Sequence, residues 1–251
     1  MAIISTIGST GTYATLSDWR ALGVPTTLDN DYIAELLPEQ HVDNVSFAGI
    51  IPAGFKITIR AHASTPYHYG VASDVSGAFS ATLEPANSSA PAILMGDGNL
   101  DVYGLEFVTY QNYASAVVYA DAGAVGTLNL YRCLFHGYAA TPIVTNVGLF
   151  INGTNVTANI YRCIFYNLGG PGLRVENMFT SSRFIHNTAY YCGNVGSSSN
   201  FQMANSGAAA TCHCRNTVSV YPASTSLDYV RTGTWTWGGN YRTTAGGGGG
   251  A

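Results

Sequence analysis

Three carboxylates and two arginines fall in the middle of the 251-residue chain: Asp97, Asp101 and Asp121, followed by Arg132 and Arg162. Paired carboxylates cleave glycosidic bonds, one as acid and the other as base or nucleophile, and the arginine fork holds carboxylates or phosphates. If the chain were an enzyme, a polysaccharide lyase or hydrolase working from these five residues is the chemistry they would support. Their spacing fixes no pair at a defined separation, so the reading without a catalytic residue is preferred. Cys212-His213-Cys214 with Cys192 has the residue types of a zinc site. On a strand, however, alternation puts both thiols on one face and His213 on the other, so no metal is expected, and no cofactor. A third set, Tyr103, Tyr131 and Tyr161 with Leu134 and Ile164, suits binding rather than bond-making.

The elements that position these residues follow from a repeat. Asn129-Leu-Tyr-Arg-Cys-Leu-Phe135 and Asn159-Ile-Tyr-Arg-Cys-Ile-Phe165 lie 30 residues apart and agree at five of seven positions, the other two exchanging Leu and Ile. Asp101-Val-Tyr-Gly-Leu-Glu-Phe107 keeps the Tyr and Phe positions 28 residues before the first copy. Self-similarity at such a period is the mark of a solenoid. Within each copy the apolar residues alternate, as in a half-buried strand, with a slip between Leu130 and Cys133 that a turn or bulge at Arg132 would supply. One strand cannot bury its face alone. Stacking successive coils about 4.8 Å apart lays like on like, so Cys133 is expected over Cys163 and Phe135 over Phe165 inside. The tyrosines form a ladder outside, with Leu134 and Ile164 pointing out beside them.

A contiguous apolar stripe of that kind reads as a subunit interface, with glycan stacking and cover by a loop of the same chain as alternatives. Arg132 and Arg162 would also lie one above the other, and like charges that close call for an anion between them. Asp101, Glu106 or Glu176 of a neighbouring subunit, or an acidic glycan, would serve.

Around this centre the chain divides into residues 1–40, a cap segment; 41–244, the solenoid, with a long excursion near 61–91; and 245–251, a flexible Gly-rich tail. In the cap, Gly11 to Leu22 reads as a helix with Thr15 as N-cap, Asp18 three residues on, and Leu16, Trp19 and Leu22 as its apolar stripe. Such a helix would cover the end of the stack. Asn187 and Asn216, 29 apart, read as the same bend position in two coils. Only 10% of residues are charged, and the net charge of −4 offers no basic face for nucleic acid. No apolar run is long enough for a bilayer. The opening lacks a secretory signal, so synthesis in a cytoplasm is expected. Cys133 and Cys163 read as small buried hydrophobes.

The opening Ile7-Gly-Ser-Thr-Gly-Thr-Tyr-Ala-Thr-Leu-Ser-Asp-Trp19, the ladder coils and the closing Gly-Gly-Asn240-Tyr resemble right-handed parallel β-helix proteins encoded by tailed bacteriophages and prophages. The resemblance implies an all-β fold, a single right-handed parallel β-helix. It also implies a non-enzymatic virion component, a capsid decoration protein or head fibre, often a homotrimer, whose partners are a major capsid or tail protein and a host surface glycan. A tailspike-like polysaccharide-binding or polysaccharide-degrading protein on the same fold is the alternative.

Overall fold

The repeat winds as expected. The computed structural model describes residues 1–63, 80–87, 89–109, 116–137, 147–177, 181–193, 200–204, 212–220, 229–232 and 235–243. Each full coil contributes one strand to each of three sheets of nine, eight and seven strands, and all strand pairings are parallel. In the central coil Gly98–Tyr103 lies in the first sheet, Glu106–Thr109 in the second and Ala116–Ala120 in the third. The next coil opens with Val125–Tyr131 and the one after with Asn155–Tyr161, both in the first sheet. The result is a parallel β-helix.

Like does land on like. Tyr131 is in register with Tyr103 and Tyr161, and Phe135 with Phe107 and Phe165. The phenylalanine rings stack in the core with centroids 4.7 and 5.0 Å apart, all fully buried. Cys133 and Cys163 are buried as well, and all five cysteines are unbridged thiols. Burial pushes the thiols of Cys192 and Cys214 up to about 12, so they are protonated at neutral pH and poor nucleophiles. A thiol reagent at pH 8 is expected to leave the native protein unmodified and to find five thiols in denaturant; prompt labelling of the native chain would contradict this packing.

The corner between the first and second sheets is set by one residue per coil in the left-handed conformation. The row runs Gly104, Arg132, Arg162, His186, Asn216 and Gly239, with φ between 51° and 65°. The turn at Arg132 is therefore real. It carries Leu134 and Ile164 onto the second sheet, around the corner from the tyrosines, and Leu134 is buried by its own chain. The expected contiguous Tyr-Leu-Ile stripe does not exist, because alternation along a strand cannot register a change of sheet.

The same row corrects the asparagine reading. Asn216 occupies the left-handed position, whereas Asn187 follows it and points inward. There Asn187 accepts from Cys163 N at 2.9 Å and donates to Ile160 O at 2.9 Å. Its equivalent two coils on is Asn240, which accepts from Thr217 N and donates to Cys214 O, each at 2.9 Å. These amides, Asn187 fully and Asn240 partly buried, satisfy backbone groups that the corner leaves unpaired.

At the N-terminal end, Thr15 accepts from Asp18 N at 3.0 Å and starts a short helix, Leu16–Asp18, that continues as a π-helical turn, Trp19–Gly23. Leu16 and Trp19 plug the stack, Trp19 meeting Phe47 edge-on at 6.4 Å. Leu22 is 78% exposed, because the wider π turn rotates it off the face the other two share. Most of the excursion near 61–91 and the tail 245–251 lie outside the described residues.

Candidate functional site

The outer face of the first sheet carries two polar rows. One runs Thr58, Asp101, Asn129, Asn159, Arg183, His213; the other Glu35, Arg60, Tyr103, Tyr131, Tyr161, Ile185, Arg215. They face out because the residues between them, such as Leu100, Val102, Leu128 and Leu130, fill the core.

In the first row the side chains bond along the shaft. Asn159 Nδ2 donates to Asn129 Oδ1 at 2.9 Å, Asn129 Nδ2 to Asp101 Oδ1 at 2.6 Å, and Lys56 Nζ to Asp101 Oδ2 at 2.7 Å. Asp101 is thus the acceptor at the end of an amide ladder and already neutralised. In the second row Tyr103, Tyr131 and Tyr161 stack with centroids 4.9 and 5.3 Å apart, planes within 6°. Both faces of Tyr131 are covered by its neighbours, so a sugar ring cannot stack there. Only ring edges and hydroxyls point outward. Desolvation raises the hydroxyls of Tyr103 and Tyr131 above their usual range, which keeps them as donors. Below them Arg60 and Glu35 form an ion pair.

The five candidate catalytic residues do not converge. Asp97 and Asp121 both line a concavity of about 220 Å³ at the corner between the third and first sheets, together with Gly49, Gly96 and Gly123. Asp97 accepts from Val125 N at 3.1 Å; Asp121 accepts from Tyr119 OH at 2.9 Å and Ala122 N at 2.7 Å. Arg132 and Arg162 stand at the opposite edge of the first sheet, on its corner with the second, and Asp101 lies within the sheet between. The three carboxylates expected to answer the arginines of a neighbouring subunit have contacts within their own chain. Asp101 pairs with Lys56, Glu176 with Arg174 at 2.5 Å, and Glu106 is fully buried.

Cys212 and Cys214 point inward and His213 outward, as alternation requires. Among the described residues no group of three His, Cys, Asp or Glu could hold a metal ion.

Two features escaped the sequence. The amide row was visible, since Asn opens both repeat copies, but nothing marked it as outward. The second is a buried pair on the second sheet, where His136 Nε2 lies 2.6 Å from Glu106 Oε1 and Ser80 Oγ donates to Glu106 Oε2. Glu106 and His136 are 30 residues apart, one period, and that spacing was the available signal.

No protein-family model matches the sequence, and no curated protein matches it significantly. Among solved structures, two crystal structures of the pectin methylesterase from Aspergillus niger, both in deglycosylated forms, are similar at 12% identity, covering 96% of this chain and 90% of that one, with TM-scores of 0.49 and 0.48.

Proposed function

We propose that this chain is a rigid β-helix that binds an extended polysaccharide along the outer face of its first sheet and holds it without cutting. The observation that carries this reading is the outward amide pair Asn129-Asn159, anchored on the buried Asp101, beside the tyrosine hydroxyls. Hydrogen-bonding groups there recur at every coil, about 4.8 Å apart, a repeat comparable to one sugar of an extended chain. Holding without cutting follows from the arrangement of carboxylates. Each of Asp97, Asp101 and Asp121 is occupied by donors, and although Asp97 and Asp121 share a concavity, Asp101 and the arginines lie away from it, so the five residues do not form one catalytic group.

The resemblance of the opening and closing segments supports a setting on a phage particle, as a capsid decoration or head-fibre component. A stack of hydrogen-bonded coils is suited to display, because it transmits load without hinges.

Tyr131→Phe removes one hydroxyl and keeps the stack. It is expected to weaken binding of the cognate glycan severalfold, in line with the loss of one hydrogen bond, with no new reducing ends or unsaturated products from either protein. Turnover that Asp101→Asn or Arg132→Ala abolishes would establish an enzyme instead. Trimerisation is the competing use of the same face. A trimer by light scattering that Tyr131→Ala dissociates would assign the ladder to a subunit interface.

A further inference from the structure

Charge is divided along the chain. Up to Asp121 it carries 3 Lys/Arg against 12 Asp/Glu, and beyond it 7 against 2, so −9 and +5 make up the overall −4. In a solenoid, position in sequence is position along the axis, so the shaft is acidic toward its start and basic toward its end. The basic groups gather on one face. Four successive coils each present an exposed arginine on the outer side of the first sheet or at its corner with the second: Arg132 and Arg162 at the corner, Arg183 in the row of Asn159, and Arg215 in the row of Tyr161. His186 and His213 stand among them.

Elsewhere Lys56, Arg60 and Arg174 each meet a carboxylate. Arg162, Arg183 and Arg215 meet none among the described residues. Arg132 and Arg162 hold the same corner position in adjacent coils, and cations stacked at strand spacing repel one another. The left-handed corner is taken by Gly104, His186, Asn216 and Gly239 in other coils, residue types found there more readily than arginine. Arginine at Arg132 and Arg162 is held there with φ of 54° and 55°, a strained choice that is explained by what the side chain does.

We infer that Arg132, Arg162, Arg183 and Arg215, one per coil along this face, form an anion ladder, and that the polymer bound along it is an acidic polysaccharide bearing a carboxylate on its repeating sugar. This inference rests on the glycan-binding reading above and names its ligand class. One carboxylate per sugar lets successive charges meet successive coils through charge-assisted bonds. A nucleic acid fits less well. Both faces of the central Tyr131 are closed to base stacking, and the acidic first half repels a long polyphosphate.

The test uses the full chain with alginate, neutral dextran and a short DNA duplex, titrated at two salt concentrations. Alginate is expected to bind, to weaken with salt, and to lose about tenfold or more in affinity in the R162A/R183A/R215A variant, with the salt slope falling by about one per arginine. Arg162→Gly separates binding from folding, since it should lower affinity while leaving the melting temperature unchanged or higher. Alginate binding unchanged in the triple variant, or dextran bound as tightly as alginate, overturns the anion ladder and leaves the glycan reading standing if Tyr131→Phe still weakens binding. Preferential binding of the duplex overturns the ligand class. Binding of none of the three overturns both.

Discussion

Phe135→Ala is expected to destabilise the protein by about 3–5 kcal/mol, the usual cost of emptying a well-packed aromatic site. Phe135 is fully buried, and its ring is covered on one side by Phe107 and on the other by Phe165. Deleting it strips a face from both neighbours, so part of the cost appears in coils that were not mutated. A solenoid coil has contacts only with the coils above and below; no distant element can close the gap. Ile4, 54% exposed on the first strand, provides the control, and its replacement by alanine should change stability by less than about 0.5 kcal/mol. The measurement is a denaturant midpoint with its slope. A loss below about 1 kcal/mol for Phe135→Ala would mean that the phenylalanine column does not hold the coils together.

Phe135 was legible because its partner in the next coil is the same residue. The near-copies at 129 and 159 disclosed the winding, and with it the phenylalanine, cysteine and tyrosine columns. Where coils differ in length the columns vanish from the sequence. Arg60 and Tyr103 are adjacent although 43 residues apart, and Tyr161 and Ile185 although only 24 apart. Corner loops absorb the difference without disturbing the strands, so a fixed period finds only coils of equal length. Sheet membership was hidden for another reason. Alternation says which residues share a face of one strand but not that a left-handed residue at Arg132 has ended the strand, which is why Leu134 was placed beside Tyr131. The arginine ladder was half visible. Arg132 and Arg162 stand out as copies, whereas Arg183 and Arg215 come to the same face, in the amide and tyrosine rows, only once unequal coils are stacked.

The buried pair on the second sheet sets the other large effect. His136→Ala is expected to cost about 3–5 kcal/mol, because it takes a partner from a carboxylate that has no access to water. Glu106→Ala should cost a similar amount, since it strips both His136 Nε2 and Ser80 Oγ of an acceptor. The pair is not thereby a source of net stability. Glu106 sits in register with Leu134, a position that is apolar one coil later, so an apolar residue fits the same column. The double variant Glu106→Leu/His136→Leu should therefore recover most of the loss of either single change, because replacing both partners of a buried hydrogen bond by apolar groups leaves no unsatisfied partner. Additive losses in the thermodynamic cycle would show that the two side chains do not act as a unit. Recovery would show that the pair specifies rather than stabilises. Glu106 requires His136 one coil above it, and through Ser80 it ties the strand Thr82–Glu84 to the same level. That fixes which coil lies on which where the chain returns from its excursion, and no identical residues are at hand there to set the register.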